Sequence, residues 1–187
     1  KSFLTLDLAT RAGKGGPWPG EGDDTTTRPC ASVFLSAEDD PADTIRPRLE
    51  AMQADLSKVV IFDRIEDPQG GICDFVIGEN VKQLYDLIVA RGDVGLVVVD
   101  PISAYVGATD SYNNAQVRSM LKPLSDMAND LGVAVVLVTH LRKSEAVKAL
   151  HRAMGSLAFT AAARVVLVVT RDKDNPDIRL VLTAKSN

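Results

Sequence analysis

Three side chains suited to phosphate and water chemistry follow predicted strands of this sequence: Glu38, Asp100 and His140. A carboxylate can orient water or bind a metal ion, and an imidazole can respond to a nearby charge. The apolar run before Asp100, Leu96–Val99, is typical of a strand buried on both faces of a parallel sheet. Because ligands bind at the carboxyl edge of such sheets, we expect the three side chains to share one site. Taken alone, Asp100 fits an ordinary core strand with a capping carboxylate equally well.

A Lys-Ser pair, Lys1-Ser2, stands at the start of a predicted helix whose first apolar residue is Phe3. In the P-loop pattern G-x-x-x-x-G-K-[ST], the lysine reaches the β- and γ-phosphates and the hydroxyl ligates Mg²⁺. The dipeptide is common, and it gains weight only from its place before a helix and about 100 residues ahead of Asp100. The sequence therefore predicts the end of a P-loop, with Lys1 and Ser2 in a site for ATP and Mg²⁺.

The elements that would position these residues alternate between strand and helix. Predicted strands cover residues 31–35, 59–62, 94–100, 133–139, 164–170 and 178–185. Predicted helices cover residues 1–12, 41–54, 75–91 and 113–131, and residues 14–29, 63–74 and 101–112 are predicted loops. Asn175-Pro176-Asp177 predicts a hairpin turn between the last two strands. The order predicts a single α/β domain over residues 1–187, with a doubly wound, mostly parallel sheet, helices on both faces and a C-terminal antiparallel hairpin.

The composition is that of a soluble globular protein. The 187 residues are 45% hydrophobic and 25% charged, with a net charge of −4, so nucleic-acid binding would have to come from a local basic patch. The two cysteines, Cys30 and Cys73, lack a metal-binding or redox spacing, and we expect them to be reduced in the cytoplasm. No apolar run approaches the roughly 18 residues of a membrane span, so no membrane partner is expected.

Positive charge concentrates between residues 141 and 154, which also hold one acidic residue. The basic residues there are Arg142, Lys143, Lys148, His151 and Arg152. Such a cluster can contact nucleic-acid phosphates in a salt-dependent, sequence-tolerant way. The segment contains no Phe, Tyr or Trp for base stacking, and a solvated surface loop is the alternative interpretation.

Six stretches carry a resemblance that spans essentially the whole chain. They are Lys1-Ser2-Phe3-Leu4, Phe34–Asp39, Leu96–Pro101, Val136–His140 with Lys143-Ser144, Gly155-Ser156 with Ala161–Arg164, and Ala184–Asn187. No single stretch is specific, but their order and spacing are. Together they resemble the RecA-like hexameric helicase ATPases, and most closely the RepA-like AAA proteins of plasmid and phage replication.

This resemblance implies a RecA-like fold and a role for each residue at the sheet edge. Asp100 would be the Walker B carboxylate that holds Mg²⁺ through its water shell. Pro101 follows it where many ATPases carry a glutamate, so the resemblance places the general base at Glu38. His140 would sense the γ-phosphate. The alternatives are that Glu38-Asp39-Asp40 caps the next helix and that His140 is a core histidine.

The same resemblance implies an ATP-hydrolysing motor, a hexameric DNA helicase with Mg-ATP bound between subunits and single-stranded DNA in the ring channel. The implied DNA contacts are Arg142, Lys143, Lys148 and Arg152, with a second channel loop around Ala108–Asn114 that carries Tyr112. The implied partners are further copies of the chain, single-stranded DNA, and a replication initiator or a primase.

In such rings a cation from the neighbouring subunit completes the hydrolytic site. Lys185 matches the family position for this cation, and Arg171 is a second candidate. Many relatives carry arginine where this chain has Asn187, so the choice between the two stays open. The alternative for Arg171 is a hairpin charge paired with Asp172 or Asp174.

The glycine-rich loop and the strand that precede Lys-Ser in a P-loop are the main departure from the family. Because their N–H groups cradle the phosphates, we expect this chain alone to bind nucleotide poorly and to belong to a longer polypeptide. We also expect a gap beside the strand that ends at Asp100. Either the chain is a fragment of a full protein, or the gap closes by rearrangement, strand exchange or dimerisation. The alternative function is a catalytically silent or regulatory RecA-fold nucleotide-binding and interaction module.

Overall fold

The computed structural model describes residues 1–22, 25–62, 64–66, 70–110, 113–140 and 157–187. The α-helices are α1 Ser2–Lys14, α2 Arg46–Ala51, α3 Ile77–Arg91, α4 Asn114–Leu131 and α5 Leu157–Ala162. The strands are β1 Ala31–Ser36, β2 Val59–Ile61, β3 Arg64–Glu66, β4 Ile72–Asp74, β5 Val94–Asp100, β6 Ala134–Leu137, β7 Val165–Arg171 and β8 Arg179–Ser186. A π-helical turn, Pro41–Ile45, precedes α2, and 3₁₀ turns cover Leu56–Lys58 and Ile102–Ala104.

Four parallel strands form the central sheet, in the order β2-β1-β5-β6. β1 and β5 pair in a register that sets Ser36 beside Asp100, and β5 and β6 pair with Val99 beside Leu137. Val99 is fully buried, as expected for an apolar β-branched run in a parallel sheet. β7 and β8 form a separate antiparallel pair. The α/β class predicted from the sequence, with its parallel sheet and C-terminal hairpin, is confirmed.

Helices cover both faces of this sheet. On one face, α1 and α2 pack Leu6 and Leu49 into a cluster with Val98. On the other face, α3 and α4 form the larger cluster, in which Leu84 of α3 packs with Val97. Successive residues of β5 therefore belong to opposite clusters, as the two-residue period of a strand requires. This two-sided packing fixes β5, and with it Asp100, at the centre of the molecule.

Helix α1 begins at Ser2, with Lys1 at its N-cap, and ends at Gly15 in the left-handed conformation, φ 68°. The Gly15 N–H donates to the Arg11 carbonyl, which closes the last turn. A Cβ at Gly15 would collide with the carbonyl oxygen of Thr27. The helix is thus bounded at its C-terminus by a glycine-dependent turn, and its N-terminus points Lys1 and Ser2 at the sheet edge.

The prediction of a gap beside the strand that ends at Asp100 is wrong. β5 lies between β1 and β6 and pairs with both. Because α4 crosses over the sheet and returns the chain directly beside β5, the neighbour of that strand is β6. Within the described residues, the two edge strands of this sheet are β2 and β6.

Two further predictions of local structure differ from the observed elements. Residues 41–54 form a π-helical turn and a short α2 instead of one helix, because Pro47 has no N–H to continue the helical ladder. The predicted loop 63–74 contains the antiparallel pair β3–β4, in which Ile65 lies opposite Cys73. Ile65 is buried in the core, but a three-residue strand is too short to show a period in the sequence.

None of the helices within the described residues has the length and apolar character needed to cross a bilayer.

Candidate functional site

The carboxyl ends of β1, β5 and β6 meet at one edge of the sheet, where α1 also begins. The pairing that sets Ser36 beside Asp100 is continued by a hydrogen bond from the Ala37 N–H to the Asp100 carbonyl, 3.2 Å. On the other side of β5, the Val138 N–H donates to the Val99 carbonyl at 2.9 Å. The loops that follow these strands therefore start side by side, as the sequence predicts for residues that share a site.

The central contact of this edge joins Ser2 and Asp100. Ser2 Oγ donates to Asp100 Oδ2 at 3.0 Å across 98 positions of sequence. Ser2 reaches Asp100 because α1 packs against the sheet through Leu6, which lies in the same cluster as Val98. A hydroxyl and a carboxylate oxygen side by side are ligand types that Mg²⁺ accepts, so this pair fits the predicted ion.

Lys1 lies beside that pair. Its Nζ donates to the Thr139 carbonyl, just after β6. Burial lowers the pKa of Lys1, and the nearby carboxylates of Asp100 and Glu38 oppose that shift. An ammonium held against a neutral carbonyl at a helix N-terminus can exchange that partner for an anionic phosphate oxygen.

Asp100 is a half-buried carboxylate of this edge, and its pKa differs from the ordinary value. Burial raises the pKa of the Asp100 carboxyl; the hydrogen bond from Ser2 opposes the rise, and the Glu38 and Asp39 carboxylates add to it. A partly desolvated carboxylate among like charges gains from a nearby cation. Shifted groups of this kind cluster at functional sites.

Glu38 and His140 face each other at the mouth of the site. His140 Nε2 lies 3.4 Å from Glu38 Oε2, and the two side chains are 49% and 61% exposed. With half of its side chain in solvent, His140 is not a core histidine. A solvent-facing carboxylate at this place can orient a water molecule.

Asp40, which follows in the same loop, is a helix cap. Its Oδ1 accepts hydrogen bonds from the N–H groups of Ala42 and Asp43, both at 2.8 Å. The capping alternative therefore holds for Asp40, whereas Glu38 has no such bond among those that the structure shows.

Asp39 has a different partner, which the sequence did not reveal. Arg48 of α2 donates from its guanidinium to Asp39 Oδ2 at 2.8 Å. Asp39 also lines a small cavity together with the polar residues Ser2, Thr5, Ser36 and Asp100. No motif joins residues nine positions apart across a π-helical turn, so only the fold brings out this pair.

The two candidate trans-acting cations lie on the C-terminal hairpin. Lys185 Nζ donates to three carbonyl oxygens at the end of α5: Thr160 at 3.3 Å, Ala161 at 3.1 Å and Ala163 at 2.6 Å. Arg171 ends β7, lies opposite Arg179 and is exposed. In this chain Lys185 thus serves as a C-terminal cap of α5, a role that the sequence did not predict.

The predicted DNA contacts Arg142, Lys143, Lys148 and Arg152 lie outside the described residues, as does Tyr112.

A family model described as an AAA domain matches residues 1–146. The chain belongs to this family. The AAA domain is a P-loop ATPase-type, nucleotide-binding domain, and the matched range includes Lys1, Ser2, Glu38, Asp100 and His140. No curated protein matches the chain.

The described part of the AAA domain contains no group of three or more His, Cys, Asp or Glu side chains that could hold a metal by themselves. Mg²⁺ usually takes one or two protein ligands and completes its shell with water and phosphate. Ser2 and Asp100 are the residues that would hold it.

Proposed function

We propose that this AAA domain binds and hydrolyses Mg-ATP at the edge formed by Lys1, Ser2, Glu38 and Asp100. The hydrogen bond between Ser2 Oγ and Asp100 Oδ2, 3.0 Å, carries this proposal. A hydroxyl in the first turn of a helix and a carboxylate at the end of a buried strand are the two protein groups that hold Mg²⁺ in P-loop NTPases. Ser2 and Asp100 would hold this ion, which would neutralise charge on the phosphoryl oxygens.

Each residue then has a role at a stated atom. Lys1 Nζ leaves the Thr139 carbonyl and binds the β- and γ-phosphate oxygens. A Glu38 carboxylate oxygen accepts a hydrogen bond from water and orients its oxygen toward the γ-phosphorus. The new P–O bond forms as the bond to the β-phosphate oxygen breaks and the proton of the water passes to the Glu38 carboxylate, which releases ADP and phosphate.

Glu38 takes this role because Pro101 occupies the position next to Asp100. β1 and β5 are neighbours in register, so the loop after β1 stands beside the end of β5. The proposed role of His140 is to sense the γ-phosphate, and its 3.4 Å contact with Glu38 supports that role. A catalytically silent module would have no use for a solvent-facing carboxylate at this point.

We further propose that the full-length protein is a hexameric DNA helicase of plasmid or phage replication. The order of the six matching stretches and the basic segment after His140 support this step. Phosphate contacts from Arg142, Lys143, Lys148 and Arg152 would bind single-stranded DNA without sequence preference. A replication initiator or a primase is the proposed loading partner.

The test measures ATP hydrolysis by the full-length gene product, with and without single-stranded DNA. Glu38→Gln should lower kcat by about 10²–10⁴-fold and leave ATP binding intact, because Gln cannot accept the proton. Asp43→Asn is the matched control, since Asp43 is an exposed carboxylate of the π-helical turn. Full hydrolysis by Glu38→Gln would contradict the catalytic role. If single-stranded DNA did not stimulate ATP hydrolysis, that result would contradict the proposed helicase function.

A further inference from the structure

An aromatic ring stands in solvent next to the candidate phosphate-binding residues. Phe3, directly after Ser2, is 59% exposed, whereas Leu6 of the same helix is buried. The guanidinium carbon of Arg48 lies 4.7 Å from the centroid of the Phe3 ring. Phe3 is thus covered by a cation from α2 instead of by the core.

The same guanidinium holds the loop that carries Glu38. Arg48 donates to Asp39 Oδ2 at 2.8 Å, and these side chains are only 28% and 27% exposed. Arg48 therefore bridges the first turn of α1 and the residue next to the candidate base. A planar guanidinium can bond a carboxylate through its edge while its face covers an aromatic ring, which the ammonium of lysine does less well.

Glu38 itself is weakly held. Its one ion pair in the described part of the chain is the 3.4 Å contact with His140, and its side chain is 61% exposed. Its place relative to Ser2 therefore depends on the residues on either side of it. Ala37 is tied to the Asp100 carbonyl, and Asp39 is tied to Arg48.

We propose that Arg48 is a positioning residue, which docks the Glu38 loop onto the first turn of α1. Through Phe3 and Asp39 it fixes the distance from the water-orienting carboxylate to the residues that bind phosphate and metal. The inference rests on the proposed ATP hydrolysis. It explains why an exposed phenylalanine follows Ser2 and why the residue after Glu38 carries a second carboxylate.

A role in fold stability alone makes a different prediction. A contact that only joins α1 to α2 would change the melting temperature and would leave the chemical step unchanged in the folded protein. A contact that positions Glu38 changes kcat at constant nucleotide affinity, because Lys1 and Ser2 still bind ATP when the water is misplaced.

The experiment uses the full-length gene product with Arg48→Met, which keeps an unbranched apolar stem and removes the guanidinium. The matched control is Arg46→Met, since Arg46 lies on the same helix in an ion pair with Glu50 and is 67% exposed. We measure kcat, KM and the Kd of a fluorescent ATP analogue, well below the melting temperature. Arg48→Met should lower kcat by about tenfold or more, with Kd and KM within about twofold. Arg46→Met should match the unsubstituted protein.

Two further variants keep the test decisive if Arg48→Met does not fold. Arg48→Lys, which keeps the charge but loses the planar guanidinium, should lower kcat below that of the unsubstituted protein at unchanged Kd, and by less than Arg48→Met where that variant folds. Phe3→Leu alters only an exposed ring and should lower kcat at unchanged Kd. The effects of Phe3→Leu and Arg48→Met should be less than additive in the double variant, because both remove the same contact.

The inference would be overturned if the variants at positions 48 and 3 had the same kcat as the Arg46→Met control. It would also be overturned if nucleotide affinity fell by as large a factor as kcat. If the unsubstituted protein hydrolyses ATP and Glu38→Gln does not, such a result overturns the role of Arg48 alone. An unsubstituted protein that neither binds nor hydrolyses ATP would overturn the proposed function together with this inference.

Discussion

Ser2 and Asp100 lie 98 positions apart in sequence and are joined by a 3.0 Å hydrogen bond from Oγ to Oδ2. Ser2 opens α1 and Asp100 closes β5, so the contact exists only when the helix is packed on the sheet. Leu6, 2% exposed, and Val98, fully buried, lie in the cluster that holds them together. The candidate site is therefore assembled by the core, and its charges act on stability as well as on ligand binding.

Asp100→Asn should stabilise the protein in the absence of Mg²⁺ and nucleotide at neutral pH, while it removes ATP hydrolysis. Burial raises the pKa of Asp100 in the folded state, so the folded protein binds the proton more tightly than the unfolded chain does. The free energy of unfolding therefore falls as the pH rises from the pKa of Asp100 in the unfolded chain through its higher pKa in the folded protein. At pH 7 the ionised carboxylate opposes folding. Asn keeps an oxygen for Ser2 Oγ and has no charge.

Thermal unfolding in EDTA between pH 3 and pH 8 measures this effect, with each kcal/mol worth about 2–4 °C. The advantage of Asp100→Asn should shrink as the pH falls toward the unfolded pKa. The control is Asp126→Asn, which removes a carboxylate from an exposed ion pair with Lys122 on the surface of α4. A less stable Asp100→Asn variant at pH 7 would contradict the charge assignment.

Arg171, and not Lys185, should be the trans-acting cation. Lys185 caps three carbonyl oxygens of α5, so Lys185→Met should cost roughly 1–3 kcal/mol of stability. Arg171→Met should leave the melting temperature unchanged and lower kcat by about 10³-fold or more. Mixing Arg171→Met subunits with Glu38→Gln subunits should restore hydrolysis. Where the two meet, an intact Glu38 from one subunit can act with an intact Arg171 from its neighbour. Loss of kcat at unchanged stability in Lys185→Met would reverse the assignment.

A side chain at position 95 should destabilise the protein. A Cβ there would lie 2.5 Å from Cys30 Sγ and 2.9 Å from Cys30 Cβ, and the β1–β5 register shifts past this glycine between Ala31 and Ser32. Gly95→Ala should cost about 1–3 kcal/mol by overpacking, measured by urea unfolding, and Cys30→Ala should recover part of that cost. Gly16→Ala, where a Cβ meets nothing within 4 Å, is the control. Equal stability of the two alanine variants would contradict the close packing.

The sequence predicted the strand β5 and the start of α1 because each has a strong local signal. Leu96–Val99 shows an unbroken apolar run before a single carboxylate, and Lys1-Ser2 opens a periodic helix. Their meeting at one edge follows from the rule that parallel strands share a carboxyl end. These parts of the site could be predicted from the sequence because they depend on local patterns and simple topology.

The rest depends on tertiary contacts that leave no pattern. Arg48 contacts Asp39 and Phe3 only because the π-helical turn and α2 place it beside the first turn of α1. Lys185 caps α5 across 22 to 25 positions, and nothing in its own strand signals that role. The neighbours of β5 are set by how the crossover helices pack, which a list of strands in chain order does not specify.

The Mg²⁺ dependence of ATP hydrolysis tests the account of the site most directly. The full-length gene product should hydrolyse ATP only with Mg²⁺, and Ser2→Ala should raise the Mg²⁺ concentration for half-maximal rate by about tenfold or more, because it removes a ligand oxygen. Ser125→Ala, on the exposed surface of α4, should leave that concentration unchanged. Hydrolysis without divalent cation, or the same Mg²⁺ dependence in Ser2→Ala and Ser125→Ala, would contradict the assignment of Ser2 and Asp100 as the metal-binding pair.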